Sequence, residues 1–189
     1  MLVEFIIPTY YRPAPLTSML ASLVAQTNGD WGANVVIDGT DHLDEILDII
    51  NMFKDSRIRH TVTDKRYNDW GHTPREMGKQ MSTADYIIMT GDDNYYTPNF
   101  VEEISTLCKQ KVGMVYWDMV HSHFNYAYFK CVPAGGQIDM GAFATRRDLA
   151  QQLYLGTEYA ADGWFVENFK QRFPVENIAK VNKVLFVHN

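Results

Sequence analysis

The chain has 189 residues, of which 46% are hydrophobic and 21% charged, the balance of an ordinary globular protein of about one domain. Its net charge of −6, with no cluster of Lys and Arg, excludes nucleic acid as the main partner, and an anionic ligand would need a cation to hold it. No apolar run approaches the length of a membrane span, and Met1 to Pro8 lacks the basic start of a signal peptide. Cys108 and Cys131 lack metal-type spacing and read as two free core thiols, which suits a reducing, cytoplasmic location.

Strand-like and helix-like segments alternate along the chain. Leu2 to Ile7 is an apolar run of the buried-strand type, and Leu16, Leu20, Leu23 and Val24 then recur at helical spacing. Asn34 to Ile37 predicts a second strand, Leu43, Ile46, Leu47 and Ile50 a second helix, and Ile58 to Val62 a third strand. Thr73-Pro74-Arg75-Glu76 has the form of a capping box, with Thr73 as cap, Pro74 in the first turn and Glu76 closing the box, and predicts a helix to about Met81. Asp85 to Thr90 predicts the fourth strand. Thr97-Pro98 opens a helix carrying Phe100, Val101, Ile104 and Leu107 on one side, and Val112 to Tyr116 predicts a fifth strand. Beyond Trp117 the pattern loosens. Tyr126 to Val132 reads as a strand in a different direction, a helix starts near Thr145, another covers Trp164 to Phe173, and Val181 to Val187 is a last strand. The strict alternation in the first half implies a mostly parallel sheet covered by helices on both faces.

Ligands of such sheets bind beyond the carboxyl ends of the strands, near the switch point of the topology. The segments at that edge are Pro8 to Arg12, Asp38-Gly39-Thr40, Thr63 to Arg66, and Gly91-Asp92-Asp93-Asn94. No Gly-x-Gly-x-x-Gly follows the first strand and no Gly-Lys-Ser/Thr loop is present, which disfavours dinucleotide dehydrogenases and P-loop enzymes. Asp92, Asp93 and Asn94 are adjacent oxygen ligands suited to a hard divalent cation, and equally suited to a plain turn. His121 and His123 have a zinc-like spacing that alternating strand positions also produce, with no Cys or carboxylate completing it.

Phe5-Ile6-Ile7-Pro8-Thr9-Tyr10-Tyr11-Arg12-Pro13 resembles the opening of glycosyltransferase family two, whose fold is GT-A. Leu20 through Gln26-Thr27 with Asp30-Trp31 resembles its first helix. Val35-Val36-Ile37-Asp38-Gly39-Thr40 resembles its second strand and turn, and Ala84 to Pro98 the segment holding its Asp-x-Asp metal motif. The match covers about the first hundred residues in order, with a weaker likeness beyond.

The resemblance implies a nucleoside site formed by Pro8, Thr9, Tyr11 and Arg12, with Asp38 by the base or ribose. It brings Asp64 and Arg66 to the base or diphosphate, and Asp92 to the nucleotide as well as to the metal. It sets Arg75 near the diphosphate, although a solvated helix charge reads equally well. Gly91 stands where the family has its first acid, which moves the implied ligands of a manganese or magnesium ion to Asp92, Asp93 and Asn94. His188, at the end of the last strand, is either a further ligand or a frayed terminal residue. Asp162, preceded by Ala161 where the family has Glu, matches the general base of inverting members, with a helix cap as the alternative. Asp139 and Trp164 are assigned to the donor sugar and the acceptor.

The fold implied is a single GT-A domain over residues 1–189, a Rossmann-like α/β/α sandwich with a mixed, mostly parallel sheet. Residues 1–100 form its nucleotide- and metal-binding half and 101–189 its sugar and acceptor half. The function implied is metal-dependent transfer of a hexosyl group from a nucleoside diphosphate sugar, a UDP-sugar, to a hydroxyl of a glycan, a lipid-linked or a small-molecule acceptor, with inversion. A non-catalytic sugar-nucleotide or glycan-binding module and a nucleotidyltransferase are the alternatives.

Overall fold

The structure, a computed structural model, describes residues 1–174 and 177–189. Its centre is β1 (Val3–Thr9), buried at every position because the sheet is covered on both faces. Parallel to it lie β2 (Trp31–Ile37) on one side and β4 (Tyr86–Met89) on the other, with β3 (Ile58–Val62) beyond β2. The chain moves outward from β1 to β3 through α1 (Pro13–Val24) and α2 (Leu43–Met52), then returns to β4 through α3 (His72–Met81). Right-handed crossovers make that reversal carry α3 to the opposite face from α1 and α2. The turning point lies between β1 and β4, so the loops after these two strands diverge and leave a crevice.

The second half completes one mixed sheet in the order β3-β2-β1-β4-β8-β6-β9-β5, with β7 paired to β6. Here β5 is Tyr95–Tyr96, β6 is Met114–His121, β7 is Ala127–Phe129, β8 is Phe143–Arg146 and β9 is Ile178–His188. Among the described residues, the α-helices that accompany them are α4 (Phe100–Lys109), α5 (Arg147–Ala150) and α6 (Ala161–Arg172). No helix among the described residues is long and apolar enough to cross a membrane.

Several boundaries differ from the sequence reading for identifiable reasons. The helix expected from Thr145 is instead β8 followed by α5. Phe143, Ala144 and Thr145 are buried and fill the gap between β4 and β6, pairing antiparallel with both. The fifth predicted strand, now β6, is therefore not a neighbour of β4. The capping box at Thr73 does not form. The helix starts at His72 after a left-handed Gly71, and Asp69 is the acceptor that bonds the Thr73 N–H at 2.9 Å and its hydroxyl at 2.6 Å. Glu76 turns instead to the buried Lys79 and to the Leu155 N–H. The strand expected to run in a different direction near Tyr126 is β7, antiparallel to β6.

The approach of α3 to the sheet is set by Gly78. A Cβ there would lie 2.4 Å from Ile6 Cγ2 and 3.0 Å from Val36 Cγ2. Helix propensity alone favours Ala over Gly by about 1 kcal/mol. Overpacking against two β-branched side chains opposes that gain, so Gly78→Ala should lower unfolding free energy by about 1–3 kcal/mol in urea titrations. A gain in stability would show that α3 can lift off the sheet freely.

Candidate active site

A cavity of 330 Å³ opens at the crevice between β1 and β4. Pro8, Thr9 and Arg12 line it from the loop after β1, Asp38 from the end of β2, Arg66 from the loop after β3, Arg75 from α3, and Asp92 and Asp93 from the loop after β4. These are expected nucleotide and metal residues, drawn together from segments up to 85 positions apart because four parallel strands end at one edge.

Two adjacent carboxylates stand at the floor, and Arg12 lies between them. Its Nη1 donates to Asp93 Oδ2 at 2.7 Å and to Asp92 Oδ1 at 3.3 Å, while the Thr9 hydroxyl donates to Asp92 Oδ2 at 2.7 Å. Asp92 is only 4% exposed. Burial pushes its pKa up to about 6 despite the Thr9 hydrogen bond and the Arg12 charge that oppose the shift. The pair of acids in turn holds the Arg12 guanidinium above its ordinary value, against its own desolvation.

Asp38 organises the roof. Its carboxylate accepts the Tyr67 N–H at 2.9 Å and the Asn68 N–H at 3.0 Å, folding residues 66–68 over the cavity. Arg66 lies 3.7 Å over the Tyr10 ring and bonds Asn68 Oδ1 at 3.0 Å. Arg75 Nε donates to the Thr90 carbonyl at 2.9 Å and Nη1 to the Trp70 carbonyl at 2.8 Å, tying α3 to the β4 loop. Burial lowers its pKa, opposed by the charges of Asp139, Asp92, Asp93 and Asp69. Gly71 makes the approach possible: at φ +79° a Cβ would sit 2.7 Å from Pro8 Cβ.

Other expected residues lie around this centre. Asp162 sits in the first turn of α6, after the cap residue Ala160, with its Oδ1 accepting the Gly163 N–H at 2.6 Å. Burial, then the charge of Asp139, raise its pKa, against the Gly163 hydrogen bond and the pull of Arg75. Asp139 accepts the Gly141 N–H at 2.8 Å and faces His188 Nε2 at 3.7 Å.

Tyr11, Asp64, Asn94, Asp139, Asp162, His188 and Trp164 do not line the cavity. Tyr11 stacks on His42 at 3.9 Å, and its neighbour Tyr10 takes the place by the cavity. Asp64 accepts from the Tyr67 hydroxyl at 2.8 Å. Asn94 bonds Thr90 and the Asn189 N–H, both at 3.3 Å. His188 stacks on His121 at 4.0 Å. Trp164 lines a separate groove beside α6. Among the described residues no three His, Cys, Asp or Glu side chains form a metal centre. As arranged, the two acids hold Arg12, so a manganese or magnesium ion reaches them only by displacing that guanidinium.

Asn68 and Trp70 line the cavity from outside the segments that the sequence points to, and Tyr10 does so from within the loop Pro8 to Arg12. Trp70 has a left-handed backbone, φ 57°, immediately before Gly71. A Trp-Gly pair just ahead of a helix was the available signal.

A Rossmann-like mixed sheet with an acidic turn and converging arginines at its switch point is a GT-A fold of the glycosyltransferase type. Residues 4–127 match the model described as Glycosyl transferase family 2, and the chain belongs to that family. No curated protein sequence matches it significantly. Among solved structures, residues 1–349 of S. aureus TarS superpose with a TM-score of 0.81 at 15% identity, covering 100% of this chain and 60% of that one. The complex of TarS with UDP-GlcNAc gives 0.78 at 14% identity, covering 99% and 58%. The mannosyltransferase PcManGT from Pyrobaculum calidifontis, in complex with GDP-Man and Mn2+, gives 0.73 at 16% identity, covering 98% and 56%. The chain thus spans 60% of TarS residues 1–349, 37% of the longer TarS chain and 56% of PcManGT, and at such identities the likeness establishes the fold alone.

Asp38 offers a direct test of how the roof is held. Asp38→Ala leaves two backbone N–H groups without their acceptor, so it should cost about 1–3 kcal/mol of stability. Hydrogen exchange at Tyr67 and Asn68 should accelerate locally. Unchanged protection there would mean that Asp38 does not hold the roof.

Proposed function

We propose that the chain transfers a hexosyl group from a nucleoside diphosphate sugar, a UDP-sugar, to a hydroxyl acceptor with inversion at the sugar carbon. The observation that carries this reading is the convergence of Arg66 and Arg75 on the switch-point cavity that Pro8, Thr9 and Asp38 also line. TarS bound to UDP-GlcNAc and PcManGT bound to GDP-Man support a sugar nucleotide as donor. Residues 1–100 supply the donor half and 101–189 the sugar and acceptor half. The acceptor is a glycan, a lipid-linked or a small-molecule hydroxyl.

In this reading Tyr10 and the loop after β1 receive the base, and Asp38 keeps the roof loop in place. Arg66 and Arg75 face the diphosphate, whose charge grows as the sugar–phosphate bond breaks. Asp162 takes the acceptor's proton while the new bond to the sugar carbon forms. Asp139 faces the donor sugar. A nearby acid and a buried setting both favour the protonated carboxyl, so Asp162 is a stronger base than a solvated aspartate.

Manganese or magnesium dependence remains the expectation carried by the Mn2+ complex of PcManGT, and it requires Arg12 to release Asp92 and Asp93. Calorimetric titration of UDP in manganese and in EDTA tests it. Tighter binding in manganese is the expected result, and equal affinity removes the metal from the reading.

The reaction itself is tested at Asp162. Asp162→Asn keeps shape but loses the base, so turnover should fall about a hundredfold or more while UDP-sugar affinity holds. The base must be ionised to act, and its pKa is raised. The acid limb of the wild-type kcat/KM profile should therefore lie higher than that of a solvated aspartate and vanish in the variant. Near-parent turnover in Asp162→Asn moves the base elsewhere, and absence of UDP release from any UDP-sugar leaves a binding module instead of an enzyme.

A further inference from the structure

A groove of 710 Å³ runs along the side of α6 that the donor cavity does not use. Trp164, Asn168 and Gln171 form one wall at helical spacing i, i+4, i+7, with Arg172 beside them. The facing wall is the loop after α5, with Gln152 and Tyr154. The helical period turns Trp164 about 200° from Asp162, so the two residues look out on opposite sides of the same first turn.

The chemistry of the walls selects a ligand class. Tyr154 and Trp164 are 66% and 62% exposed, flat apolar surfaces left open beside the amides of Asn168 and Gln171, while the Gln152 amide donates to the Asp148 carbonyl at 2.8 Å. Amides donate and accept hydrogen bonds, as sugar hydroxyls do. The rings offer stacking surface to the C–H face of a pyranose. Arg172 is the only cation among the described lining residues, and Glu158 offsets it, which does not suit a diphosphate. An acyl tail would strand the amides without partners. A second aromatic pair leads from this groove toward the donor cavity. Tyr159, 77% exposed, packs edge-on to Trp70, 67% exposed, at 6.0 Å, and Trp70 lines that cavity.

We propose that the groove between α6 and residues 152–158 is a binding site for a neutral oligosaccharide chain. Trp164 and Tyr154 are its stacking platforms, and the amides of Asn168 and Gln171 bond its hydroxyls. That this oligosaccharide is the acceptor rests on the transfer reaction proposed above. Saccharide binding in the groove does not.

The test uses the whole chain on a glycan array, followed by fluorescence titration of any retained neutral oligosaccharide. Trp164→Ala should weaken its binding about tenfold or more, within the range of base–aromatic stacking losses. Trp164→Phe should retain most of the binding. UDP affinity should be unchanged in both variants, and thermal melts should show them folded, since Trp164 is exposed. Retention of no glycan, equal glycan affinity in Trp164→Ala, or preference for peptides or lipid vesicles over glycans overturns the proposal. Glycan binding with no affinity for UDP would instead reject the transfer reaction and leave the groove standing.

Discussion

Two neighbouring carboxylates at the end of a fully apolar strand are an unstable arrangement unless something neutralises them, and the site depends on how this is done. Asp92 is buried, and its elevated pKa records the cost of keeping it charged there. Arg12 reaches it from the adjacent loop and takes Asp93 in the same grip. The reach is possible because β1 and β4 pair in parallel register, Ile6 opposite Met89, so the loops leaving them start side by side. Thr9 completes the set from the last position of β1. A ligand carrying its own charges enters a site whose acids are already engaged, while Arg66 and Arg75 remain turned to the cavity.

The second constraint is close approach. Gly71 lets the start of α3 touch Pro8, and Gly78 lets the middle of that helix lie on Ile6 and Val36. Between these contacts Arg75 is carried to the Thr90 carbonyl at the rim of the acidic turn. Sheet topology, helix seating and the electrostatics of the cavity are thus one problem solved by few residues. The acid-bearing second half joins the same centre through β8, which slots antiparallel beside β4 and brings Asp139 with it.

Much of this was legible in the sequence wherever the signal was local. The apolar runs of β1, β2 and β4 have the lengths and punctuation of buried strands, while β3 is half exposed, and the polar segments after all four are the ones that meet. What stayed hidden was non-local. β8 is a four-residue strand whose partners come from β4 and β6, so no periodicity within it could outweigh a helical reading. Arg12 meets acids 80 and 81 positions away, which no local pattern announces. Tyr10 and Tyr11 differ by one position yet face the cavity and His42 respectively. Thr73 has the spacing of a cap, but the left-handed Trp70 and Gly71 start the helix earlier and give the role to Asp69. His188 sits where a ligand was expected in chain order, and its imidazole is instead stacked on His121.

The central claim is that the crevice between β1 and β4 is where a nucleoside diphosphate binds. Backbone amide NMR with UDP added stepwise tests it most directly. The account predicts chemical-shift changes concentrated at Thr9 to Arg12, Asp38, Arg66 to Gly71 and Gly91 to Asp93, with the far side of α6 from Trp164 to Gln171 unmoved. Shifts gathered along α6 with none at Asp38 or Asp92, or no response to UDP at millimolar concentration, would contradict it.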